Sequence, residues 1–195
     1  MKHKVVSTTL GRVQLASPIL YTRENVQAIR DGRKTQTRRI MVPQVTDNYG
    51  TPTEFNASTG RAKWNHHDWE YERFCFRQAP HIPNDLLWVK ETVRYRRYGS
   101  GKGEYQIAYD DEEKSWPTLS GRFMSRRFSR FLLRVTELRL QRLQEISDND
   151  CAAEGMPPIR AEFMHRWDKI NKGRILWAAN PWVWVYTFEV IQNPS

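Results

Sequence analysis

Eight consecutive residues, Gly32-Arg33-Lys34-Thr35-Gln36-Thr37-Arg38-Arg39, carry four cations and two hydroxyls, which is more than a solvated face needs. They constrain the chain on both sides. Glu24 to Asp31 read as about two turns of amphipathic helix with Val26 and Ile29 inward, and Gly32 stands where a left-handed cap ends such a helix. Past the cluster, Ile40, Met41 and Val42 predict a strand that Pro43 closes. Lys34 and Thr37 are three apart, so a regular strand would put them on opposite faces. If both serve one pocket, the backbone between them must turn or bulge.

The 195 residues suffice for one domain with a real core, here taken as 1–195, with a polar segment inserted at 43–83. Net charge is +9 and the sequence pI about 9.8, a balance that attracts polyanions and says little about fold. A merely soluble basic protein would show the same numbers. Cys75 and Cys151 are the only cysteines, so neither a disulfide framework nor a thiolate zinc site is indicated, and a reducing cytoplasm fits. His66 and His67 are adjacent and His81 has no ligand spacing, so no metal and no cofactor is expected. Met1 to Leu10 lack the apolar run of a signal peptide, and no stretch approaches the roughly 20 apolar residues that span a bilayer. No membrane partner is expected.

Taken in order, Val13 to Tyr21 read as a first strand or edge segment. The inserted segment is poor in aliphatics, yet Trp64, Trp69, Tyr71, Phe74 and Phe76 give it something to fold over. A lid or RNA-contacting flap and a decorated surface loop both fit that pattern. Leu86 to Val89 predict a buried strand followed by Lys90 and Glu91, which either point into a site or form an exposed ion pair. Tyr105 to Tyr109 predict another short strand after the Gly99 to Gly103 turn. Phe123 to Phe128 interleave Arg122, Arg126 and Arg127 with aromatics, a composition suited equally to phosphate and base contacts and to arginine stems covering a core. Phe131 to Leu143 predict a long strand. Ser147 and Asp150 predict a capping box for a helix that Gly155 stops, with Glu154 on its last turn. A carboxylate there is disfavoured by the helix dipole and calls for a cationic neighbour. Phe163, Met164, Trp167 and Ile170 form a helical stripe expected in the core, and Trp182, Trp184, Tyr186, Phe188 and Val190 share one face of a final strand.

Gly32, Lys34 and Arg39 resemble the Gly-x-Lys-x-x-Glu-x-Arg signature of the ASCH domain family, with Thr37 where Glu is usual. The Gly32 to Arg39 run is similar to that of a bacterial branch, the acetylcytidine amidohydrolases, and Ile146 to Met156 look like the branch's capped helix with a functional Glu. A longer resemblance, to prophage-type ASCH proteins, rests on Pro18-Ile19-Leu20, the Lys34 cluster, Leu87-Trp88-Val89-Lys90-Glu91-Thr92 and Asn180-Pro181-Trp182-Val183-Trp184-Val185. It implies an α+β fold built on a PUA-like mixed β-barrel with short flanking helices, and an association with RNA or a modified nucleoside. The resemblance to the amidohydrolase branch implies Lys34 as base, Thr37 as nucleophile and Glu154 as acid in hydrolysing the amide of an acylated cytidine.

Those roles make chemical sense, because amide hydrolysis needs a nucleophile, a base to activate it and an acid for the departing amine. Lys34 can act as a base only when neutral, and Arg33, Arg38 and Arg39 would push it that way. Two other functions stay open: a non-catalytic RNA-binding module, and an RNA-cleaving enzyme using the same basic cleft. For these the ligand contacts are assigned to Arg33, Arg38, Arg39, Lys90, Glu91, Arg126 and Arg127, with Lys34, Thr37 and Glu154 gripping phosphate or structure.

Overall fold

A computed structural model describes residues 16–66, 73–98, 104–109 and 116–192. The expectations for Met1 to Leu10, the strand start at Val13, His67, Trp69, Tyr71 and the Gly99 to Gly103 turn lie outside the described residues.

The two longest strands form where apolar alternation predicts them. β10 (Leu132–Arg142) and β11 (Trp182–Gln192) pair antiparallel at the centre of a five-stranded sheet. Beyond β10 lie β6 (Leu86–Lys90) and then β1 (Ser17–Leu20), which runs parallel to β6. Beyond β11 lies β2 (Gln36–Ile40), antiparallel. The strand expected at Ile40 to Val42 therefore starts earlier, inside the cationic cluster itself. Pairing with the apolar β11 recruits Gln36, Thr37 and Arg38 into a buried ladder that their side chains alone would not predict.

β11 is buried on both faces along its first half. Trp182, Trp184, Tyr186 and Phe188 enter the main core with Leu133, Val135 and Leu87, whereas Val183 and Val185 enter a second cluster with Leu143, Ile146 and Cys151. The second cluster exists because two helices cover that face. These are α2 (Asp148–Ala153) and α3 (Arg160–Ile170), of which α3 contributes Phe163 and Trp167. Ile170, read as core in the helical stripe, is instead 51% exposed. It is the last residue of α3, and of that helix only Phe163 and Trp167 enter the second cluster.

The first helix, α1 (Arg23–Arg30), lies between β1 and β2 in sequence and buries Val26, Ala28 and Ile29. Thr22 caps its start, and Gly32 follows with φ +70°. The polar segment 43–83 holds a three-stranded antiparallel sheet of β3 (Glu54–Asn56), β4 (Arg61–Asn65) and β5 (Phe74–Gln78). Alternation along β4 sends Ala62 and Trp64 inward, where Trp64 meets Trp182 edge-on at 5.8 Å. A third sheet joins β7 (Val93–Tyr98) to β8 (Glu104–Tyr109) and β9 (Thr118–Leu119). The result is an α+β fold dominated by sheet.

The pairing among the described residues is open: it closes no ring between β1 and β2. The two edges meet through a side chain, Arg39 Nη2 donating to the Leu20 carbonyl at 2.9 Å. The reason lies at the entry to β2, where Lys34 makes an isolated backbone bridge with Glu154 and the Thr35 amide donates to the Ala153 carbonyl at 2.8 Å. That backbone is committed to the end of α2 and is not available to β1.

Lys90 and Glu91 take structural partners after β6. Lys90 Nζ donates to the Arg122 carbonyl, and buried Glu91 receives Arg130 in a two-pronged ion pair, Nε to Oε1 at 2.9 Å and Nη2 to Oε2 at 2.8 Å. Replacing Arg130 by Met leaves a buried carboxylate without this counter-ion. Urea denaturation is expected to show a loss of about 3–5 kcal/mol, and a loss near zero would mean the pair contributes nothing.

Candidate functional site

Charge is concentrated where β2 begins and α2 ends. Lys34, Thr37 and Glu154 are 2%, 4% and 6% exposed. Lys34 Nζ donates to Glu154 Oε2 at 2.6 Å and to the Glu154 backbone carbonyl at 3.0 Å. Arg38 Nη1 donates to Glu154 Oε1 at 3.2 Å and to Gln36 Oε1 at 2.5 Å. Its Nη2 lies 2.9 Å from Asp150 Oδ2, and Asp150 Oδ1 in turn accepts from Arg139 at 2.9 Å. Glu154, the C-cap residue of α2, thus has the cationic neighbours that its position at the negative end of a helix requires.

Local chemistry explains the placement. Ser147 and Asp150 form the expected capping box, so α2 starts at a defined residue and ends at Glu154. Gly155 follows at φ +79°, and a Cβ there would stand 2.6 Å from Ala28 Cβ and 2.9 Å from Lys34 Cβ. Only glycine lets the chain turn away from Glu154 while Lys34 packs against it. Lys34 itself precedes the regular part of β2. Lys34 therefore stands outside the strand alternation that Thr37 follows.

Tyr21 is the common neighbour. Its ring centroid lies 5.6 Å from Lys34 Nζ and 5.1 Å from the Arg39 guanidinium carbon. Burial pushes its phenol up to about 12, against the opposing pull of Arg39 and Thr37, so it stays protonated at neutral pH. Burial also lowers the Lys34 ammonium, with Arg39 and Arg166 adding to that push and Glu154 opposing it. Asp150 moves the other way. Burial resists its ionisation, yet the Arg139 hydrogen bond, the Arg38 and Arg139 charges and the Ser147 amide hold it down at about 2.

A cleft of about 440 Å³ opens beside these residues, lined by Thr37, Arg38, Arg39 and Glu154 on one wall. The facing wall comes from α3 and the loop after it, with Phe163, Arg166, Trp167, Ile170, Asn171 and Arg174. Several expected ligand contacts are elsewhere. Arg33 is exposed, paired with Asp31 at 2.7 Å, and bound to the Gly155 carbonyl at 3.1 Å. Arg126 and Arg127 sit on an exposed 3-10 turn, Arg126–Phe128, and neither they nor Lys90 and Glu91 line this cleft. Arg38 lines it but makes its ion pairs inside the protein. Sequence reasoning missed Tyr21, Gln36 and Arg166. Tyr21 ends a strand with nothing local to mark it, and Arg166 lies one residue from a stripe read as core. The helical spacing of Arg166 from Asn25-facing positions becomes legible only when α1 and α3 are adjacent.

Among the described residues, no group of three or more His, Cys, Asp or Glu side chains could hold a metal ion, and no helix is long and apolar enough to cross a membrane. No family model and no curated protein matches the chain. A crystal structure of an Enterococcus faecalis V583 protein described with the family name DUF984 is similar at 11% identity and a TM-score of 0.45, covering 94% of this chain and 84% of that one. A likeness at that level carries no argument about function.

Two outcomes test the construction of the site. Gly155→Ala should lower thermal stability by about 1–3 kcal/mol, and by more than Gly32→Ala, since Gly32 has positive φ but open space around its missing Cβ. Equal losses would mean that the close approach to Lys34 and Ala28 is unimportant. Asp150 is more acidic in the folded than in the unfolded state, so its contribution is present above the ordinary aspartate pKa near 3.8 and is lost as pH falls through about 2. Asp150→Asn should therefore flatten the acid limb of the stability-versus-pH curve in chemical denaturation.

Proposed function

We propose that the chain is an ASCH-type, PUA-like protein of a single domain with 43–83 inserted, and that its cleft binds the base of an acylated cytidine and hydrolyses the exocyclic amide. The observation that carries this reading is the 2.6 Å contact between Lys34 Nζ and Oε2 of Glu154, a residue that lines the cleft together with Thr37. The two segments that carry the family resemblance, far apart in sequence, meet in that contact. Phe163 and Trp167 on the facing wall supply flat apolar surface suited to a base.

The chemistry follows from one proton. As ammonium and carboxylate, Lys34 and Glu154 are inert. Moving the shared proton along the hydrogen bond yields an amine and a carboxylic acid, the base and acid that the reaction needs. Burial of Lys34 favours that direction. The amine takes the Thr37 proton as Oγ1 bonds to the acyl carbon, and the acid gives its proton to the cytosine nitrogen as the carbon–nitrogen bond breaks. The pair is then ammonium and carboxylate again, and the acyl group rests on Thr37 as an ester. Water adds to the ester carbon, the threonine oxygen leaves with a water proton, and the carboxylic acid product departs. Tyr21, protonated throughout, packs its ring against Lys34 and against Arg39 of the cleft wall.

Purified protein incubated with N4-acetylcytidine should release cytidine, followed by chromatography. Lys34→Ala, Thr37→Ala and Glu154→Ala should each reduce turnover on the order of 100- to 10,000-fold. Absence of turnover in the wild type, or turnover undiminished in Thr37→Ala and Lys34→Ala, ends the hydrolase reading and leaves a binding-only cleft.

A further inference from the structure

The cleft has a gradient along its length that the amide chemistry does not use. On α3, Phe163, Arg166, Trp167 and Ile170 follow one another at the spacing of a single helix face. The Phe163 ring is buried and its centroid lies 5.9 Å from the Arg38 guanidinium carbon, whereas Ile170 is half-exposed and Arg174 just beyond the helix is exposed. Between Phe163 and Ile170 the helix advances roughly 10 Å. The cleft is therefore deep, aromatic and next to Glu154 at one end, and open and cationic at the other.

The cations at the open end are under-used inside the protein. Arg174 has no ion pair or side-chain hydrogen bond among the described residues. Arg166 makes only long contacts, all through Nη2: 3.3 Å to Asn25 Oδ1, 3.5 Å to Thr22 Oγ1 and 3.7 Å to Glu24 Oε2. Asn25, which also lines the cleft, offers a neutral amide next to them. On the facing wall Arg38 is matched by Glu154 and Asp150, and behind it Lys34 is matched by Glu154. Arg39, on the sheet wall, spends its guanidinium on the Leu20 carbonyl and the Tyr21 ring, so the cleft cations with the fewest close partners are Arg166 and Arg174 on the helix side.

A nucleoside is graded in the same sense, with the base at one end and the 5′ oxygen of the sugar at the other. We infer that the ligand is a phosphorylated nucleoside, its base between β2 and α3 and its phosphate held at the rim by Arg166 and Arg174. Planar guanidinium groups with free donors suit a phosphate, and at the mouth of the cleft they meet it without the full cost of burial. This deepens the nucleoside reading of the cleft and rests on it. The monoester of a free nucleotide and the diester of a strand both present anionic oxygens on the 5′ side.

Isothermal titration calorimetry of the full chain at low salt separates these statements, with cytidine, cytidine 5′-monophosphate and a short cytidine-containing RNA as titrants. Cytidine 5′-monophosphate is expected to bind about ten-fold or more tightly than cytidine. Arg174→Ala should remove most of that preference and Arg166→Ala/Arg174→Ala all of it. Lys172→Ala, which deletes the same charge at an exposed position outside the cleft lining, should keep it. RNA binding tighter than the mononucleotide, again lost in the double variant, identifies a strand as the source; mononucleotide binding that is equal or tighter identifies a free nucleotide. Equal affinity for cytidine and its monophosphate, or a preference that survives in the double variant, overturns the inference while leaving a nucleoside cleft. No binding of any of the three overturns both. A phosphate preference without hydrolysis of acetylcytidine sustains this inference and removes only the catalytic one.

Discussion

Lys34 and Glu154 are both withdrawn from water, and neither can be there without the other. Charges in a protein interior are costly unless they face an opposite charge at hydrogen-bonding distance, and here the facing distance is 2.6 Å. The same two residues are bridged through their backbones, so side-chain and main-chain interactions reinforce one juxtaposition. From it follow the early start of β2, the termination of α2 at Glu154 and the need for glycine at 155. The open edge between β1 and β2 follows too, since the entry to β2 is paired with the end of α2.

The rest of the fold holds that juxtaposition still. β11 is packed on both faces, with tryptophan, tyrosine and phenylalanine on the main-core side and valine on the helix side. A strand so covered has little freedom to shift, and β2 is paired to it along Gln36 to Ile40. Tyr21 completes the floor. It belongs to β1's end of the sheet, hydrogen-bonds through its amide to the Lys90 carbonyl, and places an aromatic ring between two cations. The cleft is then the space left between a rigid sheet edge and α3, charged on one wall and aromatic on the other.

Much of the fold was legible before any coordinates. Helix caps are local, which is why Ser147, Asp150, Gly32 and Gly155 could be read in place. Long alternating strands carry their own signal, as in β10 and β11. The short strands of 43–83 did not, because three to five residues mixing charge with aromatics look like loop until pairing reveals that Ala62 and Trp64 face inward. The β2 strand was displaced in the reading for a related reason: its burial is imposed by β11. Of the candidate site residues, Thr37, Arg38, Arg39 and Glu154 line the cleft, and Lys34 pairs with Glu154 behind it. Arg33, Lys90, Glu91, Arg126 and Arg127 have other positions, because an arginine reads alike in sequence whether it faces solvent, a carboxylate or a ligand.

The division between the two kinds of information follows the range of the forces involved. Turn chemistry, capping and apolar period act over a few residues, so the chain alone specifies that Lys34 leaves a capped helix and that Glu154 ends one. Which carboxylate answers which cation is set by groups 120 residues apart. Only packing could decide that Glu154 serves Lys34 and Arg38 together, that Tyr21 lies beneath them, and that Arg166 and Arg174 are left over at the rim, since each depends on which elements the cores of β11 press against one another.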